Sequence, residues 1–231
     1  METIYAAVPA VVAGSFLALR EAWRAWQPAR HLLAGRYEEA ALAGEKLSRS
    51  WMRGLPGVRF SAEYAIACAR HLAGDLEGSL AATSSLERGR YEVRSLDAAS
   101  LVLLDRSDAD AERVLELLDG LDGRIDEDFL LEAIARHRLG REDAALRKKV
   151  TASLTTPAPR GERAAIFHFL RGLYYSRARN LEHLAKEDLT LAADGAHANV
   201  YTRRARAMLD ERPGDEGPSS LAPQVVTKPA P

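Results

Sequence analysis

A short phrase recurs through this chain and limits what it can fold into. Leu33-Ala34-Gly35-Arg36-Tyr37-Glu38-Glu39-Ala40 reads as the end of one helix, a glycine turn and the start of a second helix. Copies follow at Leu72-Ala73-Gly74-Asp75-Leu76-Glu77, at Leu139-Gly140-Arg141-Glu142-Asp143-Ala144 and at Arg179-Asn180-Leu181-Glu182. A copy without glycine stands at Leu104-Asp105-Arg106-Ser107-Asp108. Successive turns lie roughly 32 to 39 residues apart, the period of a helical repeat. Alanine and leucine abound while β-branched runs and aromatics are few, so helix is expected throughout.

The period sets out pairs of helices. A first pair is expected at 22–34 and 37–49, complicated by Pro28, which either kinks the helix or opens a new one. Residues 50–57 read as a linker because of two glycines and a proline, with Trp51 sealing the junction or, alternatively, stacking on a ligand. Ser61 is a candidate N-cap for a helix over 62–73, with Tyr64, Ala67, Cys68, His71 and Leu72 on one stripe and a partner over 76–86. The third pair is expected at 93–104 and 109–118, capped by Ser107 or Asp108, and the fourth at 127–139 and 142–154. In the fourth, Phe129, Leu130, Ala133, Ile134 and His137 point inward. Residues 155–161 form a loop. The fifth pair begins near Glu162, with Gly172 at a close helix approach and Leu181, Leu184, Leu189 and Leu191 filling its second helix. A final helix over 199–209 reads as a polar-backed cap, and 210–231 as a disordered tail.

Residues 3–19 carry no charge. As a helix, 4–19 rises about 24 Å, just short of a hydrocarbon core of about 30 Å. Continuing to Trp26, with Trp23 and Trp26 in an interface belt, it spans marginally and makes lipid contact over 4–26. The arginines that follow it place the repeats on the cytoplasmic side of a single-pass anchor over 1–21. Two alternatives stay open: a buried or partner-docking first helix on a cytoplasmic protein, and a cleaved segment.

Charge adds little chemistry. Lys and Arg total 32 against 33 for Asp and Glu, so no global field draws the chain to nucleic acid, and none is expected as a partner. Locally, 105–128 holds ten acidic side chains against three basic, read as a solvated face or a dock for a basic partner. The fourth pair is basic, without the aromatic interleaving of a nucleic-acid surface. Cys68 is the lone cysteine, which excludes an internal disulfide, and it reads as a buried thiol. His31, His71 and His137 stand just before turns, where packing explains them better than one shared site. No pair of histidines has metal-motif spacing, and no phosphate loop or nucleophile elbow occurs. No catalytic residue, metal or cofactor is therefore expected. An enzyme using a histidine and carboxylates is the remote alternative.

These residues resemble the tetratricopeptide repeat family, whose units pair two helices about a turn with small residues at the crossing. The first unit matches through Gly35, Tyr37 and Ala40, and the second through Ala67, Gly74, Leu76 and Ser79. The third keeps Ala99 and Ala111, and the fourth Ala133, Gly140 and Ala145, with Glu142 in place of an aromatic. The fifth has Gly172, Tyr175, Leu181 and Leu184. The resemblance implies an all-α fold, a right-handed α-solenoid of antiparallel helix pairs over 22–209. It also implies a non-enzymatic scaffold or adaptor holding a protein or peptide partner on a concave face. Tyr64, His71, Arg136 and Arg171 are the candidate contact residues. The peptide-carboxylate clamp of some relatives is not matched here, and oligomeric state is not fixed by any of these features.

Overall fold

The computed structural model describes residues 23, 25–152, 161–178 and 181–211, and they are all-helical, with no strand among them. Helix α1 covers 25–33 and carries Pro28 within it. There follow α2 (Tyr37–Ser48), a 3-10 turn (Trp51–Gly54), α3 (Pro56–Ala73), α4 (Leu76–Thr83) and α5 (Tyr91–Leu104). Then come α6 (Asp108–Leu118), α7 (Asp126–Arg138), α8 (Ala144–Ala152), α9 (Glu162–Arg177), α10 (Glu182–Ala193) and α11 (Val200–Asp210). None of these is long and apolar enough to cross a membrane. The expected anchor over 1–21, the loop at 155–160 and the tail beyond 211 lie outside the described residues.

The glycine turns are one device used three times. Gly35 N–H donates to Leu32 O and Arg36 N–H to His31 O, at 3.0 and 2.9 Å. The same two bonds recur from Gly74 and Asp75 to His71 and Arg70, and from Gly140 and Arg141 to His137 and Arg136. All three glycines have φ between 66° and 93°, which closes the helix end and satisfies its last carbonyls. The copy without glycine keeps the conformation: Asp105 sits at φ 48°, donating one N–H bond to Leu101 O. Asp tolerates that region better than most residues, and Arg138 and Arg177 both bind its carboxylate.

The helices start as the sequence reading expects, with one exception. Ser107 Oγ accepts from Asp110 N–H and Asn199 Oδ1 from Tyr201 and Thr202 N–H. However, α3 starts six residues before Ala62, because Pro56 occupies its first position, where the missing N–H is no loss. Ser61 is thus an exposed residue within the helix, not its cap. Trp51 does not seal a junction: it is 78% exposed, and Met52 is the buried residue of that turn. Leu191 likewise faces outward, at 47% exposure, while Leu189 is fully buried.

Small residues set the close crossings. A Cβ on Gly44 would lie 2.7 Å from Ile66 Cγ1 and 3.0 Å from Ala62 O, so α2 and α3 meet backbone to side chain. One on Gly172 would lie 3.0 Å from Leu189 Cγ, the approach expected of α9 and α10. Ser79 donates from Oγ to Ala67 O at 3.0 Å and so is satisfied in the α3–α4 contact. Helix α9 buries Phe167, Phe169, Leu170, Leu173, Tyr174 and Tyr175 around most of its circumference, which makes it the centre of the core.

Contacts between odd-numbered helices run α3–α5–α7–α9–α11 and return from α11 to α3. The last helix keeps the expected polar outer side, with Arg203, Arg206 and Asp210 exposed, and also meets α3. It buries Val200, Tyr201, Thr202 and Ala205, and its arginines cap earlier helices: Arg203 donates to Ala73 O and Arg204 to Leu103 O. The acidic stretch is not wholly solvated either. Asp128 is fully buried, accepting from Tyr91 Oη (2.6 Å), Ser95 Oγ (2.6 Å) and Ile125 N–H (3.0 Å).

Candidate functional site

Where α3, α5, α7, α9 and α11 face one another they enclose a cleft of about 280 Å³. Its wall repeats at helical spacing: Tyr64, Cys68, His71 and Leu72 from α3; Leu96 and Ala99 from α5; Leu131 from α7; Ile166 and Leu170 from α9; Tyr201 from α11. The stripe read on α3 is thus the wall of the cleft. A dry apolar cavity of about 150 Å³ accommodates benzene, so this one has room for a large apolar side chain.

The polar groups of its floor are neutral and chained together. Tyr201 Oη and His71 Nε2 are 2.7 Å apart, and His71 Nδ1 and Ser100 Oγ 2.8 Å apart. Ser100 Oγ donates its proton to Leu96 O, which leaves it to accept from Nδ1–H and leaves Nε2 to accept from Tyr201. Burial, and secondarily the Arg204 charge, pull the His71 pKa down to about 4, so the ring is neutral at physiological pH. Burial raises the Tyr201 hydroxyl above its ordinary value. It also pushes the Cys68 thiol up to about 11, against a smaller opposing effect of the Tyr64 hydroxyl. That value makes the thiol a poor nucleophile.

Charge is confined to the rim. Arg163 grips Glu127 through a two-bond fork, Nε to Oε1 at 2.9 Å and Nη2 to Oε2 at 2.8 Å. Glu127 is 6% exposed, so the fork compensates a desolvated carboxylate. Glu92 stands exposed on the same rim and Ile125 shows an apolar edge beside it.

Of the four candidate contact residues, the fold brings two together. Tyr64 and His71 line the cleft. Arg136 lies elsewhere, paired with Glu132 on a polar depression between α6 and α7. Arg171 is 8% exposed, its guanidinium on both oxygens of Asp188, which also takes His168 Nδ1 at 2.8 Å. That triad fastens α9 to α10 and presents nothing to a partner. His31 and His137 pair with Glu39 and Glu142, so the histidines before the turns do serve separate local contacts. Among the described residues no group of three His, Cys, Asp or Glu side chains converges as a metal site would need.

Sequence reasoning missed Tyr201, Ser100 and Arg163. Ser100 within the apolar run Ala98-Ala99-Ser100-Leu101-Val102 was the available signal, since a polar side chain there needs a buried partner. A larger hollow of about 530 Å³ lies between α1 and α2, but only two helices form it. The cleft draws its wall from five helices. No protein-family model matches the chain, and neither a curated protein nor a solved structure matches it.

Proposed function

We propose that this chain is a tetratricopeptide-like solenoid of antiparallel helix pairs, right-handed and curled until its last helix meets its second pair. In this reading it is a non-enzymatic adaptor that holds an apolar side chain of a protein partner in the inward cleft. The observation that carries the reading is the cleft itself. Five helices contribute apolar wall to one volume of about 280 Å³, and the polar groups on its floor are neutral and mutually satisfied. Such a surface recognises shape and apolarity. The repeated hydrogen-bonded closure at Gly35, Gly74 and Gly140 supports the repeat architecture, and the small residues at the helix crossings support paired packing.

Selection of a displayed peptide library on the immobilised full-length chain tests the reading. Enriched peptides should share an apolar anchor, and two cleft variants should weaken them by at least about tenfold, the loss expected of a buried anchor. Ala99→Phe fills the cleft and Leu96→Glu charges its wall, with circular dichroism checking that each stays folded. Enriched peptides indifferent to both variants, or no enrichment at all, would overturn it.

A further inference from the structure

The chain has three tryptophans, and the core contains none of them. Trp23, Trp26 and Trp51 are 53%, 51% and 78% exposed. Among the described residues, six of the eight large hydrophobic side chains left exposed are these three with Leu33, Leu42 and Leu55. The buried aromatics are tyrosines and phenylalanines. So marked a segregation of the most amphipathic aromatic calls for an environment other than plain water.

Their placement is shared. Gln27 and His31 on α1, Leu42 and Lys46 on α2 and Ser50 just after it line one groove. Trp23 lies four residues before Gln27, on the same helix stripe, and Trp51 directly follows Ser50. Trp26 packs against Trp23 at 6.2 Å between ring centroids, and Trp51 opens the 3-10 turn directly after the groove-lining Ser50. The charge around them is one-sided. Between residues 23 and 59, six described basic side chains are exposed against two acidic ones, Glu38 and Glu39; Arg36, Arg49 and Arg59 pair with Glu39, Glu45 and Glu63, and Arg30, Lys46 and Arg53 stand outside those pairs. The acidic surface of the molecule lies far along the chain, on α6 and the turn after it.

We propose that the α1–α2 end of the molecule, with Trp23, Trp26, Leu42 and Trp51 as its contact, seats on an anionic lipid bilayer surface. Tryptophan partitions to the headgroup level, where its ring is apolar and its N–H is wet. The surrounding Lys and Arg meet the lipid phosphates. A protein partner is the competing occupant, but it would not need the excess of basic over acidic side chains.

Because every tryptophan lies at this end, intrinsic fluorescence reads the face directly, and Trp51 separates it from residues 1–22. The full-length Trp23→Phe/Trp26→Phe variant, which keeps Trp51 alone, is titrated with vesicles of phosphatidylcholine and phosphatidylglycerol, and with phosphatidylcholine alone. The expected result is a blue shift of Trp51 emission and quenching by brominated lipid on the anionic vesicles. Lys46→Gln and Arg53→Gln should each weaken that binding roughly fivefold. If the protein sediments with vesicles while Trp51 keeps its aqueous emission, only the segment before α1 holds the membrane and the proposal fails. It also fails if Trp51 emission is already blue without lipid, since a second copy or another part of the chain then covers the face. Absence of vesicle binding overturns it outright.

Discussion

The Nε2 of His71 and the hydroxyl of Tyr201 meet at 2.7 Å although 130 residues separate them in sequence. This bond joins α3 to α11 and forms the floor of the cleft. Tyr201→Phe keeps the ring and removes the donor, leaving a buried imidazole nitrogen unsatisfied. The expected cost is about 1–3 kcal/mol, read as a lower urea midpoint with unchanged m-value. Tyr201→Ala, which also empties a fully buried ring position, is expected to cost about 3–5 kcal/mol.

The same histidine sets a pH dependence. Its pKa is about 4 in the folded chain against 6.5 for a free imidazole, so the unfolded chain binds the extra proton between those values. Stability from the neutral ring is therefore complete above about pH 6.5 and is lost as pH falls toward about 4, at about 1.4 kcal/mol per unit. Chemical denaturation across that range should show the slope, and His71→Gln should abolish it. Asp188 behaves differently. Burial pushes its pKa up, but hydrogen bonds from His168 and Arg171 bring it below the usual carboxylate range, so its contribution persists until more acidic pH.

Much of this fold is legible in the sequence because its signals are local. Glycine turns, a 3.6-residue apolar period and caps such as Ser107 act within a few residues, and the helices follow. The α3 stripe through Tyr64, Cys68 and His71 was legible for the same reason. What periodicity does not encode is which stripe meets which across the molecule. Hence the return of α11 onto α3 was missed, as was the burial of Asp128 beneath Tyr91 and Ser95. Pro56 was misread because a proline that ends a linker and one that starts a helix look alike until the helix is seen. Trp51 was misplaced because its size suggested the core, whereas its neighbour Met52 fills that place.

Two glycine turns that share a conformation should differ in tolerance. At Gly35 an added Cβ would meet the His197 ring at 2.6 Å, whereas at Gly140 nothing lies within 4 Å. Gly140→Ala should incur only the left-handed backbone penalty of about 1–2 kcal/mol. Gly35→Ala should exceed it by at least about 1 kcal/mol, the minimum expected for overpacking. Paired urea melts of the two variants measure the difference.

Asp188→Asn leaves Arg171 and His168 buried without their carboxylate. Removing one partner of a buried ion pair is expected to destabilise by about 3–5 kcal/mol. Replacing the arginine too, as Asp188→Asn/Arg171→Met, should recover part of that loss. Equal stability of the single variant and the parent would show that the triad contributes little to the α9–α10 contact.

The packing of α11 on α3 forms the floor of the cleft, and Cys68, half-buried in its wall, reports on it. Its reaction with a water-soluble disulfide reagent near neutral pH should run about tenfold slower in the native protein than in denaturant, because the raised thiol pKa cuts the thiolate about a hundredfold while the more basic thiolate regains about tenfold in nucleophilicity. Tyr201→Ala, which loosens that packing, should bring the native rate most of the way back. A native Cys68 that reacts as fast as an unfolded one would contradict the packing of α11 on α3.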